Sequence, residues 1–400
     1  MEKKYNKALM TQYPRARGRA FVMKNMGDYV QSVASRQFVH PIDEYIEQEE
    51  ADTYHSPNGL KTRLIMNGWF QWQAENWPPS DDILPLLVSM HISPLKKDLL
   101  MTPEGINFLK KNSPVGCRDY YTVELLESYD IPAYFSGCVT LTLGKDFKVN
   151  DNERDGFYFV DPHFDVPPLY EEVEGQPILN KEALDGFIEV YSKHAEVIND
   201  LASRYFFKVY LPTGRLDKDE TVFRPYYKAA CFYKVFSQLF SDEFLLTANY
   251  ITHYKEVDMK NDSNQDLIDI AESFVKKYAR AKMVVTSRIH SGLPCLGMET
   301  PVVFVADKEV VSQNSTFASP GRLGGLVDLF RTVSFNDGLL ETTDDAFLAI
   351  KKFEVNSTFK NKDDWRLYAD RLKKQLSAFM SDEFDEKDID KIRRMYYKPE

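Results

Sequence analysis

The sequence predicts an α/β protein of doubly wound, Rossmann-like sheets. Short runs rich in apolar and β-branched residues recur along the chain, amphipathic helical stretches alternate with them, and several runs end in polar turns that open a helix. The 400 residues exceed the usual size of one hydrophobic core, and 43% hydrophobic with 14% aromatic content supplies material for two. Two domains are therefore expected. The hinge is placed at residues 211–220, a charged stretch whose Pro212 and Gly214 lie between aromatic-rich segments. This gives an N-terminal unit of residues 1–210 and a C-terminal unit of residues 211–400.

Taken in order, Ala20-Phe21-Val22-Met23 reads as the first strand and residues 24–28 as its turn. Val30, Val33, Ala34 and Phe38 recur at helical spacing and form one face of the first helix. Leu64-Ile65-Met66 runs into Asn67-Gly68-Trp69, and a third strand over 84–90 ends at His91. A short strand at Val115-Gly116-Cys117 leads through Arg118-Asp119 into a helix over 120–129, and Ala133-Tyr134-Phe135 returns as a strand. The polar segments 144–156 and 171–177 read as surface loops on either side of a strand at 157–160. Beyond the hinge come a helix over 226–240, a strand near 244–248, and a helix whose inner face is Leu267, Ile270, Ala271, Phe274, Val275 and Tyr278. A long loop over 307–325 and a charged helix over 363–379 close the chain.

Composition excludes several classes. A net charge of −11 argues against a nucleic-acid or anionic-membrane surface. Met1-Glu2-Lys3-Lys4-Tyr5-Asn6-Lys7 lacks the apolar core of a signal peptide, and the longest apolar run, 83–88, is too short to span a bilayer. A cytoplasmic protein is expected, at most peripheral to a membrane. Cys117, Cys138, Cys231 and Cys295 are scattered, which favours buried free thiols over disulfides or a zinc ribbon.

The most informative stretch is Met283-Val284-Val285-Thr286-Ser287-Arg288-Ile289-His290-Ser291-Gly292-Leu293-Pro294-Cys295, followed by Pro301-Val302-Val303-Phe304-Val305. It reads as strand, helix, strand, with Arg288 and His290 at the strand exit. Ser291 is expected to cap the helix and Pro294 to fall at its third residue. Free helix-start N–H groups then face the same space as a guanidinium and an imidazole, which makes a phosphate or carboxylate the expected ligand. Arg118 with Asp119 reads as a helix-start salt bridge or a ligand contact, and Asn25-Met26-Gly27-Asp28 as a turn or a contact. Asp161-Pro162-His163-Phe164-Asp165 alternates metal-ligand types but reads as a solvated turn, and no metal is expected.

Several of these segments together resemble the polysaccharide pyruvyl transferase family. Residues 278–305 are similar to its best-marked block, Asn25-Met26-Gly27-Asp28-Tyr29 to its amino-terminal loop, Val115-Gly116-Cys117-Arg118-Asp119 to its arginine–aspartate step, and Tyr250-Ile251-Thr252-His253 to the motif before its long helix. The resemblance implies two Rossmann-like domains facing across a cleft, the glycosyltransferase type B arrangement. It implies phosphoenolpyruvate as donor, a sugar acceptor that is free or lipid-linked, and a cyclic pyruvate ketal on a precursor of surface or capsular polysaccharide. The family's arginine-x-histidine donor contact carries onto Arg288, Ile289 and His290, with Ser291 following. The acceptor is expected on the first domain.

Ketal formation needs a cation for the donor's anionic groups and a proton donor and acceptor working near neutral pH. Arg288 suits the first task, and His290 and His253 are the candidates for the second. Asn25, Gly27, Asp28, Arg118 and Arg322, the last in a Gly-rich loop, are further candidate cleft contacts. No cofactor beyond phosphoenolpyruvate as co-substrate is expected. The rival readings are a nucleotide-sugar glycosyltransferase of type B fold and a sugar- or phosphate-binding protein without turnover.

Overall fold

The structure is a computed structural model that describes residues 3–12, 21–70, 73–212, 215–217, 221–258, 260–307, 323–336 and 338–398. Its strands in chain order are β1 (Asn6–Thr11), β2 (Phe21–Asn25), β3 (Glu44–Glu47), β4 (Thr62–Trp69), β5 (Ile83–His91), β6 (Val115–Cys117), β7 (Ala133–Phe135), β8 (Phe157–Val160) and β9 (Tyr170–Val173). They continue with β10 (Gln176–Leu179), β11 (Tyr210–Leu211), β12 (Arg215–Leu216), β13 (Asn249–Ile251), β14 (Tyr254–Asp258), β15 (Met283–Thr286), β16 (Val302–Asp307), β17 (Thr332–Asn336) and β18 (Leu339–Glu341).

Two six-stranded sheets carry the fold, in the orders β3-β1-β4-β5-β6-β7 and β13-β8-β15-β16-β17-β18. All pairs in the first are parallel, and only β18 is antiparallel in the second. Numbered along the chain, both sheets have the same flavodoxin-like order, with the second strand outside the first and the third on its inner side. Each therefore reverses its winding direction beside its first strand, between β1 and β4 in one sheet and between β8 and β15 in the other. Such switch points open a crevice at the carboxyl ends of the strands.

Parallel strands covered on both faces read as nearly continuous apolar runs, and β5 and β15 are buried along their whole length. Alternation along each strand then divides the core. Leu9, Ile65 and Val88 of the first sheet, with Val284 and Phe304 of the second, turn into one shared middle layer. That layer is filled by Val30 and Val33 of the helix Tyr29–Arg36, Phe274 and Tyr278 of the helix Asn264–Arg280, and Leu293 of the helix Ile289–Gly297. The outer face of the first sheet packs Leu64, Met66 and Leu87. The outer face of the second is aromatic, with Phe159 meeting Phe232, Phe236 and Phe240 edge to face at 5.2–5.4 Å.

Several elements differ from the sequence reading. The strand read at 20–23 is β2, which joins neither main sheet and pairs antiparallel with β14, tying the N-terminal part of the chain to the C-terminal part. The inner strand of the first sheet is β1, unnoticed because Asn6 and Lys7 break its apolar pattern. The Lys7 amine is satisfied only by tertiary partners, the His40 carbonyl at 2.8 Å and Asp382 Oδ1 at 2.6 Å. Residues 244–248 lie largely in a helix, Asp242–Thr247, because Ser241 caps it by accepting from Phe244 N–H at 3.3 Å; the strand follows as β13. Strand β8 precedes the hinge read at 211–220 yet pairs inside the second sheet, next to β15. The C-terminal helix, Trp365–Met380, and the residues after it contact the first sheet's side: Arg63 donates to the carbonyls of Phe379 and Ser381, and Arg393 to that of Pro85. Among the described residues no helix is long and apolar enough to cross a membrane.

Candidate functional site

The second sheet's switch point is built by hydrogen bonds between the exits of β8 and β15. Thr286 Oγ1 donates to the Val160 carbonyl at 2.7 Å and accepts from Arg288 N–H at 2.9 Å, while Ser287 Oγ accepts from His163 N–H at 2.8 Å. The chain turns at Arg288, which is the N-cap residue, and the helix begins at Ile289. Ser291 is thus already inside the helix, and Pro294 lies in its interior, where it cannot donate to the carbonyl of His290 four residues back. The first N–H groups of this helix, at Ile289 and His290, point out of its start with no intrahelical acceptor.

Asp161, at the exit of β8, adopts a positive φ of 43° and is 1% exposed. Its carboxylate accepts from His253 N–H at 3.0 Å and lies 3.4 Å from Arg288 Nε. The segment read as a solvated turn is therefore part of the site, and the missed signal was a carboxylate placed directly after a buried strand. Asp161, together with Tyr210 and Tyr254, outweighs the effect of burial on Arg288 and holds its pKa above the ordinary arginine value. The guanidinium lies 5.3 Å from the centre of the Tyr254 ring. Its Nε and Nη2 are nevertheless buried without a hydrogen-bond partner.

His290 reaches towards the other sheet. Its Nδ1 lies 3.5 Å from Asp28 Oδ1, and its Nε2 is buried with no hydrogen-bond partner. Burial disfavours the imidazolium, but Asp28 and the Cys138 thiol outweigh it and raise the pKa above the usual histidine value. Burial likewise pushes the Cys138 thiol up, yet His290, Arg118 and the Thr140 hydroxyl, 3.2 Å from Sγ, leave it below its ordinary value. Asp28 stands at the N-cap position of its helix but makes no side-chain capping bond, so its carboxylate serves His290.

His253 is enclosed. Its Nε2 contacts Tyr278 Oη at 2.5 Å and Ser291 Oγ at 3.0 Å, and a Cβ added at Gly27 would stand 2.5 Å from its Nδ1. Burial, reinforced by the charges of Arg288 and His290, lowers its pKa to about 3, so the ring is neutral over the working range. Its carbonyl accepts from Met26 N–H at 3.0 Å, and Asn25 Oδ1 accepts from Gly27 N–H at 3.1 Å, which fixes the amino-terminal loop against the second sheet's crest.

Of the residues read from the sequence, Arg288, Ile289, His290, Ser291, His253, Gly27 and Asp28 come together, with Asn25 behind them. Arg118 approaches the same region from the exit of β6, its Nη1 donating to Gln31 Oε1 at 3.5 Å while Gln31 Nε2 donates to the Asp28 carbonyl at 3.4 Å. The salt bridge read between Arg118 and Asp119 is not formed. Asp119 instead meets His91 Nδ1 at 2.7 Å and caps the following helix through Thr122 N–H at 2.8 Å. Arg322 lies outside the described residues. Asp161, Cys138, Tyr254 and Tyr278 were not singled out from the sequence; only the fold brings them here. Among the described residues no three His, Cys, Asp or Glu side chains gather as a metal site would require.

The protein is thus a Rossmann-like α/β protein whose second sheet sets Arg288, His290 and a helix start at a switch point, an arrangement chemically suited to an anion. Residues 25–309 match the family model of polysaccharide pyruvyl transferase. The chain belongs to the polysaccharide pyruvyl transferase family and is accordingly a transferase of pyruvyl groups in polysaccharide synthesis. No curated protein and no solved structure matches it.

Proposed function

We propose that the protein transfers the enolpyruvyl carbons of phosphoenolpyruvate to two hydroxyls of a sugar in a surface or capsular polysaccharide precursor, forming a cyclic ketal and releasing phosphate. The observation that carries this is the pair Arg288 and His290 at a helix start, whose Nε, Nη2 and Nε2 atoms are buried and make no hydrogen bond, Nε being ion-paired with Asp161 at 3.4 Å. Leaving such donors unmet inside a protein costs about 1–3 kcal/mol each, a cost that an anionic donor substrate removes. Arg288 binds one anionic group of phosphoenolpyruvate, the N–H groups of Ile289 and His290 add to it, and Asp161 holds the guanidinium in place.

His290, whose pKa is raised by Asp28 and Cys138 against the effect of burial, delivers a proton to the methylene carbon. The enol carbon becomes electrophilic and one sugar hydroxyl adds to it, losing its proton to a base. The C–O bond to phosphate then breaks, the second hydroxyl adds to the same carbon to close the ring, and the proton it loses leaves with the phosphate as hydrogen phosphate, while the base returns the first hydroxyl's proton to His290. The neutral, enclosed His253 acts as a positioning residue that holds Ser291 and the helix start, and the proton-transfer work falls to His290. Asn25 and Gly27 shape the wall that holds Asp28. The two sheets form a glycosyltransferase type B-like pair with donor on the second and acceptor on the first. The acceptor is free or lipid-linked, and the reaction runs in the cytoplasm without a metal.

Incubation with phosphoenolpyruvate and candidate galactosides or N-acetylmannosaminides is expected to release phosphate and add one pyruvate ketal per sugar; turnover of a nucleotide sugar instead refutes the reading in favour of a glycosyltransferase. Arg288→Ala is expected to abolish the thermal stabilisation given by phosphoenolpyruvate, and undiminished stabilisation removes Arg288 from the donor site.

A further inference from the structure

At the other switch point, between β1 and β4, the first sheet presents a second set of unmet donors. Gln12 Nε2 follows β1, Asn67 Nδ2 lies near the end of β4, Ser89 Oγ near that of β5 and Arg118 Nη2 just past β6, and all four are buried without a hydrogen-bond partner. Arg118 is the decisive member. It is 2% exposed, and its one side-chain hydrogen bond is a long one, from Nη1 to Gln31 Oε1 at 3.5 Å. The carboxylate beside it in sequence, Asp119, is turned away to His91 and Thr122.

Other buried arginines of this protein have their terminal nitrogens on fixed acceptors, though Nε of Arg63 and of Arg393 is also unbonded. Arg63 donates to the carbonyls of Phe379 and Ser381 at 2.7 and 2.8 Å, Arg154 to those of Ala279 and Met298 at 2.7 and 3.0 Å, and Arg393 to the Pro85 carbonyl at 3.0 Å and Asn112 Oδ1 at 2.6 Å. Those are structural arginines, held by fixed acceptors. Among the described residues Arg118 has only the long bond to Gln31, and a buried guanidinium so short of acceptors is costly unless something supplies them. Its partner Gln31 donates in turn from Nε2 to the Asp28 carbonyl at 3.4 Å, and Asp28 Oδ1 lies 3.5 Å from His290 Nδ1, so Arg118 stands beside the space where the second sheet's site lies. The side chains of Asp28 and Arg288, 23% and 26% exposed, mark where solvent reaches that space.

We infer that Arg118 is an anion-binding residue, which takes a phosphate or carboxylate oxygen of a ligand from the first sheet's side while Arg288 and His290 hold an anion from the second. The inference rests on the pyruvyl-transfer reading only for the identity of the ligand. Two sources carry the required chemistry: the second anionic group of phosphoenolpyruvate, and a phosphate on the sugar acceptor. Neighbouring Gln12, Asn67 and Ser89 suit either the anion's remaining oxygens or the hydroxyls of a sugar.

The test is calorimetric titration of phosphoenolpyruvate and of inorganic pyrophosphate into the wild type, Arg118→Gln, Arg118→Lys and Arg288→Ala, with thermal melting of each free protein. Arg118→Gln is expected to bind at least one probe about tenfold or more weakly, and Arg118→Lys to recover part of the loss. Because the guanidinium has a single long acceptor, Gln31 Oε1 at 3.5 Å, Arg118→Gln should melt no lower than the wild type. Weakened phosphoenolpyruvate binding assigns Arg118 to the donor, whereas weakened pyrophosphate binding with phosphoenolpyruvate unchanged assigns it to the acceptor's phosphate. Unchanged affinity for both probes overturns the inference, as does failure of the wild type to bind either, or an Arg118→Lys protein no better than Arg118→Gln. If phosphoenolpyruvate binds Arg288→Ala as well as wild type, the donor reading fails, and Arg118 is judged on its own variants.

Discussion

Acidification should weaken this protein through one imidazole. His253 is 1% exposed, its Nε2 is taken by Tyr278 and Ser291, and its pKa falls from 6.5 in the unfolded chain to about 3 in the fold. Between those values the unfolded state binds the proton and the native state does not, so stability rises with pH there and is lost as pH falls below 6.5. Each unit costs up to about 1.4 kcal/mol, so the contribution at pH 5 is about 2 kcal/mol relative to pH 7. Urea unfolding of the wild type and of His253→Gln at both pH values isolates the effect, because the other titrating groups are common to the two proteins. The wild type should lose about 2 kcal/mol more than the variant over that interval. Equal losses, or an imidazole resonance of His253 that titrates with a midpoint above pH 5, would refute the enclosed neutral histidine.

His290 moves in the opposite direction: its raised pKa contributes stability that is fully present below 6.5 and lost as pH rises through the higher folded value. Asp28→Asn removes the carboxylate that helps raise it, so the alkaline limb of kcat/KM is expected at lower pH than in the wild type; an unmoved limb separates Asp28 from the proton donor. Gly27→Ala places a Cβ 2.5 Å from His253 Nδ1, and overpacking of that kind should lower the unfolding free energy by about 1–3 kcal/mol, read from urea midpoints.

Much of the second sheet was legible locally. The runs Met283–Thr286 and 302–305 are buried strand segments in parallel register, as their apolar patterns indicate, because a strand covered on both faces needs no help from polar partners. The first helix of the amino-terminal half follows its periodic Val30 and Val33 for the same reason. Where polar residues are satisfied at long range the pattern misleads. Strand β1 depends on Lys7 reaching Asp382, 375 positions away, and β2 leaves the main sheet to pair with β14. The helix Asp242–Thr247 was decided by one capping serine against an apolar, strand-like sequence.

The sequence alone determined the family, the parallel α/β class, and the placing of Arg288 and His290 at a strand exit, since these rest on short-range patterns and on a motif that spans few residues. Tertiary structure alone decided which carboxylate serves which cation. Asp161 sits beside Arg288 and Asp28 beside His290, whereas Asp119 leaves Arg118 for His91. The reason is that charge pairing and burial depend on distances across two sheets: an arginine and an aspartate adjacent in sequence can face apart, and residues more than a hundred positions apart can meet. The same geometry lowers the pKa of His253 to about 3 and raises that of His290, a difference that no property of histidine itself encodes.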